Sequence, residues 1–359
     1  MTVTTPRVRD LTAADRRLRV DVAAGDAFEM LLSLFALGGE EEEADFEIGA
    51  DWFEGIRLRA GDDLLARLSD LGDWSVWAAL IGEAYAMGAP HTTERLLEHL
   101  EQMDPVKLRR GFLEVGACHA SETVDPDDLD ALAAGDAEAA AGAAEWCEMC
   151  PGLLRLIELP AAESRDTLVG LLRSFWEADP LPEGTIEALQ QDAEHKRSLA
   201  RRMEPERLVE TATNGITVAV RPDLDEVVLV PTVVMRPWVI IAEWGGKRIF
   251  CYSVAEENLG HDGSKPPAWL VQFYKALGDE RRLTIMRRLA DGPASFGDLV
   301  ELLDLAKSTV HHHIRQLRAA GVVRVTMGED KEYSLRAGTA PEATRMLEDF
   351  LGIRAGDDQ

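Results

Sequence analysis

Two short amphipathic patterns with three residues between them constrain this 359-residue chain more than any other feature. The first, at residues 295–303, begins with Ser295 and Asp298 spaced as a capping box, and the second covers residues 307–320. The apolar residues of each pattern share one helix face: Leu299, Val300 and Leu303 in the first, and Val310, Ile314 and Leu317 in the second. Two short helices joined by a brief turn predict a helix-turn-helix unit.

The residues around this unit predict a winged helix. Gly321 ends the second pattern, and two β-rich runs at 322–327 and 331–335 are separated by turn residues. Helical patterns at 269–277 and 280–290 precede the unit, and another at 341–351 follows the hairpin. The predicted order is therefore three helices, a recognition helix, a β-hairpin wing and a last helix.

The outward face of the recognition helix predicts contact with DNA, because it carries cations and hydrogen-bond donors and no acid. The predicted DNA contacts are Lys307, Ser308, Thr309, His311, His312 and Arg315 on the helix, with Arg324 and Lys331 on the wing. The wing tip also holds Glu329 and Asp330, which would weaken its contact with phosphate.

This part of the chain resembles the ArsR family of bacterial regulators. The resemblance rests on LGDERRLTIMRRL at 277–289, on STVHHHIRQLRAAGVV at 308–323 and on the YSL that ends the wing at 333–335. It implies a homodimer joined through residues 268–277 and 341–351. It also implies binding to double-stranded operator DNA, which members of the family often leave when a metal or small molecule binds. The helix positions that match the family pattern are Ser308, Thr309, His311 and His312, with Arg315 one turn on.

Metal sensing is not expected in this domain. The segment 295–303 has no Cys and 341–353 has no His, so both ligand sets that family members use are missing. The consecutive residues His311, His312 and His313 point about 100° apart on a helix and do not converge on one ion. Elsewhere, Cys147 and Cys150 form a lone Cys-x-x-Cys, which is a redox pair, half of a zinc site or two buried thiols. We predict no metal and no cofactor.

Charge divides the chain into two regions. Residues 264–359 hold 14 Lys and Arg and 14 Asp and Glu, so the net charge of −27 belongs entirely to residues 1–263. The polar run at 255–267, rich in Gly and Pro, predicts a linker. The expected domains are an acidic regulatory domain at 1–254, this linker, and a winged helix at 268–354 for DNA binding and dimerisation.

The first domain is predicted to be mostly helical with a small antiparallel sheet, so the expected class is α+β. A strand at 18–22 and a helix that begins with Asp26 and Glu29 as a capping box open it, and helical periodicity covers 62–211. β-rich runs follow at 216–220, 227–234, 238–244 and 248–254, with Gly245 and Gly246 suited to a hairpin turn. Chains with such a sheet before an ArsR-like domain look like an actinobacterial type whose first domain has no assigned chemistry.

Nothing in the first domain indicates catalysis. Phosphate-binding loops, G-x-S-x-G and H-E-x-x-H are absent from the sequence, and the acidic runs at 40–43 and 125–130 are typical of solvated loops. The tryptophans either pack in the core or line a pocket: Trp52, Trp74, Trp77, Trp146, Trp176, Trp238 and Trp244.

The expected function is transcription regulation, as a repressor whose first domain responds to an unknown small molecule or protein partner. The alternatives are a protein-interaction module that binds another protein through the winged helix, and an enzyme fused to a DNA-binding tail. No run approaches the ~20 apolar residues of a membrane span, and four cysteines do not form a disulfide framework. We therefore expect a cytoplasmic protein that does not act at a membrane.

Overall fold

The computed structural model describes residues 18–39, 43–117, 124–136, 150–218, 224, 226–259, 266–327, 331–336 and 338–352. Helices and two four-stranded sheets account for most of these residues, which confirms the α+β class. Across the described ranges, no helix is both long enough and apolar enough to span a membrane.

The first sheet is mixed rather than antiparallel. Its strands are β1 (Arg19–Val22), β3 (Glu226–Thr232), β4 (Ile240–Trp244) and β5 (Lys247–Ser253), in the order β1-β3-β5-β4, while β2 (Ile216–Val218) joins the second sheet. β3 pairs in parallel with both β1 and β5, and β4 pairs with β5 in antiparallel fashion. The expectation of an antiparallel sheet is wrong for β3 and β5, which pair in parallel because the connection between them is long and includes β4. The strand predicted at 18–22 joins the same sheet as β1, also in parallel.

The β4–β5 hairpin has the predicted turn. Gly245 and Gly246 have φ angles of 53° and 72°, in the left-handed region that favours glycine. Two consecutive residues with positive φ form the turn type that matches the twist of a two-residue hairpin. At the edge of the sheet, Trp244 in β4 packs on Gly82 and Gly111, where an added Cβ would lie only 2.3 and 2.5 Å from the ring.

Helices cover both faces of this sheet. In the central strand β3, Val228 and Val230 belong to one apolar core, whereas Val227 and Leu229 belong to another. Burial on both faces explains the unbroken apolar run of this strand. The helices of the first part are α1 (Asp26–Gly38), α2 (Ala50–Leu71), α3 (Trp74–Ala86), α4 (Thr93–Gln102), α5 (Pro105–Ala117), α6 (Pro126–Ala134), α7 (Pro151–Glu158), α8 (Ala161–Glu177), α9 (Thr185–Ala200) and α10 (Pro205–Ala212).

The predicted capping box of α1 does not form. Gly25 occupies the N-cap position, and the Asp26 carboxylate accepts a hydrogen bond from the amide of Thr93 at 2.9 Å. Glu29 accepts hydrogen bonds from the amides of Val233 and Val234 at 2.8 and 2.7 Å. Both acids therefore bind distant backbone groups, and they fasten α1 to the start of α4 and to the end of β3.

The C-terminal part is a winged helix with nearly the predicted boundaries. Its elements are α11 (Ala268–Leu277), α12 (Glu280–Ala290), β6 (Ala294–Ser295), α13 (Phe296–Leu303), α14 (Lys307–Ala319), β7 (Val323–Met327), β8 (Lys331–Leu335) and α15 (Thr339–Leu351). The Ser295–Asp298 capping box of α13 is present in both directions. Val310, Ile314 and Leu317 are buried in the core of this part, as predicted.

One strand of the first part completes the sheet of the wing. The second sheet has the order β2-β7-β8-β6, in which β2 pairs with β7 in parallel. Thr217 lies opposite Thr326 with their hydroxyl oxygens 3.1 Å apart, and the amide of Val325 donates to the carbonyl of Gly215 at 3.0 Å. The two parts of the chain therefore share a continuous sheet. Of the predicted linker, residues 260–265 lie outside the described ranges.

Candidate nucleic-acid interface

The first half of α14 forms an open polar surface. Five of the predicted DNA contacts are exposed there: Lys307, Ser308, Thr309, His311 and His312. The helix holds them outward because Val310, Ile314 and Leu317, on the opposite face, are almost completely buried. No acidic residue occurs in α14, and the positive end of its dipole lies at this terminus. Such a surface is suited to the phosphates and base edges of a DNA groove.

The three consecutive histidines have three different environments. The ring of His311 lies 6.2 Å from the ring of Phe296, and His312 is exposed. His313 is buried, so it belongs to the core side of the helix. Burial lowers the pKa of His313, which keeps its ring neutral. Among the described residues, no group of His, Cys, Asp and Glu is arranged to hold a metal ion.

The second half of α14 contacts the first part of the chain. The Arg315 guanidinium lies over the ring of Trp238, with its carbon 4.9 Å from the ring centroid. Gln316 donates to the carboxylate of Asp45 at 3.2 Å, and Arg318 approaches the carbonyl of Val239 at 3.5 Å. Burial lowers the pKa of Arg318 to about 10, a value at which the guanidinium keeps its charge near neutral pH. In this arrangement, Arg315 is half-buried against the first part, whereas the five predicted contacts before it in α14 are exposed.

The two predicted wing contacts have different surroundings. Lys331, at the start of β8, is exposed, whereas Arg324 in β7 forms an ion pair with Glu210 of α10. Next to this pair, Arg336 forms a hydrogen bond with Asn214. The wing tip at 328–330 lies outside the described ranges. The structure therefore groups Lys331 with the open surface and Arg324 with the contact between the two parts.

The contacts of Arg315 and Arg324 were missed by the sequence reasoning. Periodicity identifies which face of α14 is polar, but it does not distinguish a polar face that meets DNA from one that meets another domain. The sequence shows a β-rich run at 216–220, but nothing in that run indicates that its partner is the wing strand β7.

Two reactive groups in the first part are enclosed in its core. Glu29 is completely buried, and burial raises its pKa to about 7. Burial likewise raises the pKa of the nearby Cys251 thiol, so that group stays protonated and unreactive. A perturbed carboxyl group is a feature of many active sites, but here Glu29 binds the amides of Val233 and Val234 and fastens α1 to the sheet.

The remaining candidate residues have structural contacts. Cys150 is buried at the start of α7, while Cys147 lies outside the described ranges, as do Cys118 and Trp146. In the acidic runs, Glu43 pairs with Arg57, and Asp125 caps α6. Two of the tryptophans, Trp74 and Trp77, line a cavity.

Comparison with known families identifies the C-terminal part. Residues 279–325 match the family model described as bacterial regulatory protein, arsR family. This segment contains α12, α13, α14 and most of β7, so it includes the whole helix-turn-helix unit and the open surface of α14. Searches of curated proteins and of solved structures gave no significant match.

Proposed function

Because the C-terminal part of this chain is an ArsR-family winged helix-turn-helix, we propose that the protein is a sequence-specific transcription regulator that represses by occupying operator DNA. The observation that carries the proposal is the open first half of α14, with its donors and positive charge. In helix-turn-helix proteins, the first residues of the recognition helix contact the base edges. Lys307, Ser308, Thr309, His311 and His312 occupy this position, and Lys331 extends the surface onto the wing.

We propose residues 268–354 as the DNA-binding and dimerisation domain, 255–267 as the linker, and 1–254 as a regulatory domain. Support for regulation comes from the second half of α14, where Arg315 and Gln316 contact Trp238 and Asp45. A change in the first domain at these contacts acts directly on the recognition helix. In this scheme the first domain responds to a ligand or a protein partner and carries out no catalysis.

A homodimer is proposed through α11 and α15, which pack against each other. These helices expose four large apolar side chains, namely Val271, Tyr274, Phe350 and Leu351, with exposed fractions of 36, 42, 38 and 55%. A cluster of this kind is typical of a protein–protein contact. In a two-fold dimer, the two α14 helices would lie roughly 34 Å apart and bind a palindromic site.

Binding of the full-length protein to the DNA upstream of its own coding sequence tests the proposal. Lys307→Ala should weaken binding and reduce the slope of log affinity against log salt concentration by about one, because one phosphate contact is lost. Lys107→Ala is the matched control, since it removes an equal charge from an exposed site on α5. Equal binding by the two variants would show that α14 does not face DNA. Equal affinity of the wild type for a scrambled duplex would refute sequence specificity.

A further inference from the structure

A cavity of about 730 Å³ lies where the first domain meets the recognition helix. Its walls come from α1, α2, α3, α7 and β4 of the first domain, and Arg315 of α14 forms part of the remaining side. Most of the wall is apolar, and its apolar side chains include Leu34, Phe35, Leu65, Trp74, Trp77 and Ile240. A volume of this size falls in the range of small-molecule sites.

The one acid among the residues of this wall, Asp73, is fully engaged by backbone donors. One of its carboxylate oxygens accepts from the amides of Ser75 and Val76 at 2.9 and 3.2 Å, which caps α3. The other oxygen accepts from the amide of Leu153 at 3.0 Å. The charge of this carboxylate is therefore compensated within the protein, and it offers no counter-charge to a cationic ligand.

The two cations of the wall also have partners in the protein. Arg57 forms an ion pair with Glu43. The Arg315 guanidinium lies over the ring of Trp238, and Arg315 has a further partner in addition to this ring. The wall therefore holds no uncompensated charge among its described residues, and it favours neither an anion nor a cation.

We propose that this cavity binds a neutral small molecule with an apolar or aromatic body. Such a body gains free energy when its surface leaves water for an apolar wall, whereas a charged group would lose its hydration without finding a counter-charge. Trp74 and Trp77 would contact the ligand with large, rigid side chains.

The position of the cavity links such a ligand to the recognition helix. Ser308, His312 and Gln316 follow one another at steps of four residues, so they share one face of α14. The first two are exposed, whereas Gln316 donates to the carboxylate of Asp45 in the first domain at 3.2 Å. Ala319, one turn further on, packs against the main apolar core of the first domain. The first domain therefore occupies the continuation of the face that we propose for DNA.

This arrangement and bound DNA compete for the same face of α14. A groove that admits a helix is bordered by phosphates, which would meet the first domain and the Asp45 carboxylate beside Gln316. A ligand that contacts both the first domain and α14 stabilises the arrangement without DNA. By linkage, the ligand lowers DNA affinity and DNA lowers ligand affinity by the same factor. This regulatory step rests on the proposed function, whereas binding of the ligand does not.

Two fluorescent probes test the site in the full-length protein without DNA. The first, N-phenyl-1-naphthylamine, is neutral, and the second, 8-anilinonaphthalene-1-sulfonate, has the same aromatic body with one negative charge. We expect saturable binding of the neutral probe with a single site per chain. The anion should displace it only at concentrations roughly 10-fold or more higher, because its charge finds no partner in the wall. Displacement at equal concentrations would refute the preference for a neutral ligand.

Tryptophan substitutions locate the bound probe. Leu65 and Ser69 are one turn apart in α2 and both line the cavity, so Leu65→Trp and Ser69→Trp should each fill part of it and weaken binding of the neutral probe. Ser69 is exposed, so its replacement does not disturb the core. Ser174→Trp is the matched control, because it adds the same side chain at an exposed position on α8 outside the cavity.

Circular dichroism and the melting temperature verify the fold of each variant. Equally strong binding of the neutral probe by Leu65→Trp, Ser69→Trp and Ser174→Trp would overturn the proposal, and so would the absence of saturable binding by the wild type.

The neutral probe should also reduce binding of the wild type and of Ser174→Trp to their DNA, and Ser69→Trp should remove this response. Probe binding at the cavity that leaves DNA affinity unchanged would overturn the regulatory step. A protein that binds the probe as expected but never binds DNA would refute the proposed function alone. A protein that binds DNA but not the probe would refute the proposed site alone.

Discussion

The buried carboxyl group of Glu29 leads to a quantitative prediction about stability. Its side chain is fully enclosed, and one carboxylate oxygen accepts from the amides of Val233 and Val234. Among the described residues, the other oxygen makes no hydrogen bond of good geometry, and the nearby Thr232 side chain lowers the pKa only in part. Burial of this group without full compensation raises its pKa from 4.5 to about 7. The folded protein therefore holds a proton that the unfolded chain releases more readily.

The sign of the effect follows from this difference. Below pH 4.5 the carboxyl group is protonated in both the folded and the unfolded protein. The folded protein then buries a neutral group, and the contribution of this site to the free energy of unfolding is fully present. Between pH 4.5 and about 7 the unfolded state binds fewer protons, so the free energy of unfolding falls as the pH rises. Above this window the buried carboxylate is ionised. Each unit of pKa difference corresponds to about 1.4 kcal/mol, so the free energy of unfolding falls by about 3 kcal/mol in total across this window.

Glu29→Gln should remove this loss. The amide oxygen of glutamine can accept the two hydrogen bonds from Val233 and Val234, and its shape matches that of the acid. We expect the variant to be more stable than the wild type by about 3 kcal/mol at pH 8 and nearly equal to it below pH 5. Urea unfolding followed by tryptophan fluorescence at both pH values measures the difference.

Glu98→Gln is the control, since it makes the same change at an exposed site on α4. Comparison of each variant with the wild type at the same pH cancels the titration of the other acids. If Glu29→Gln and Glu98→Gln change the pH dependence equally, Glu29 has an ordinary pKa and the reasoning fails.

Three further predictions follow from the C-terminal part. Ile314→Ala should lower the free energy of unfolding by roughly 2 to 5 kcal/mol, because Ile314 is only 3% exposed. A loss below about 1 kcal/mol in urea unfolding would show that this face of α14 is not packed. Tyr274→Glu should shift the dimer to monomer in sedimentation equilibrium, whereas an unchanged mass would exclude the α11 surface. Micromolar zinc or a chelator should leave DNA affinity unchanged in electrophoretic shifts, and zinc-induced release that requires Cys147 and Cys150 would contradict this.

Local signals in the sequence predicted the winged helix closely. The capping box at Ser295 and the glycine pair at Gly245 and Gly246 depend on residues within one turn of each other, and both are present. The buried face of α14 follows from its own periodicity. The open surface of the candidate site was therefore predictable as far as His312, because it is defined by a single helix.

Pairings between distant segments were not predictable in this way. The parallel pairing of β1 with β3 joins residues that are about 200 positions apart, and no local pattern records it. Asp26 and Glu29 have the spacing of a capping box. Their carboxylates instead accept hydrogen bonds from distant backbone amides, Asp26 from Thr93 and Glu29 from Val233 and Val234. The contact of Arg315 with Trp238 has the same origin, since Trp238 lies in another domain.

The strand that the first domain adds to the wing has a consequence for how the chain can be divided. In the intact protein, β2 pairs with the outer edge of β7. The backbone groups along that edge are therefore not available to pair with a strand from another molecule. A fragment that begins at Ser264 would lack β2 and would expose the backbone donors and acceptors of β7 next to the apolar side chain of Met327. Such an edge is a template for intermolecular pairing and aggregation. In the intact protein the outer strand is the three-residue β2 instead, and a very short edge strand offers little template for such pairing.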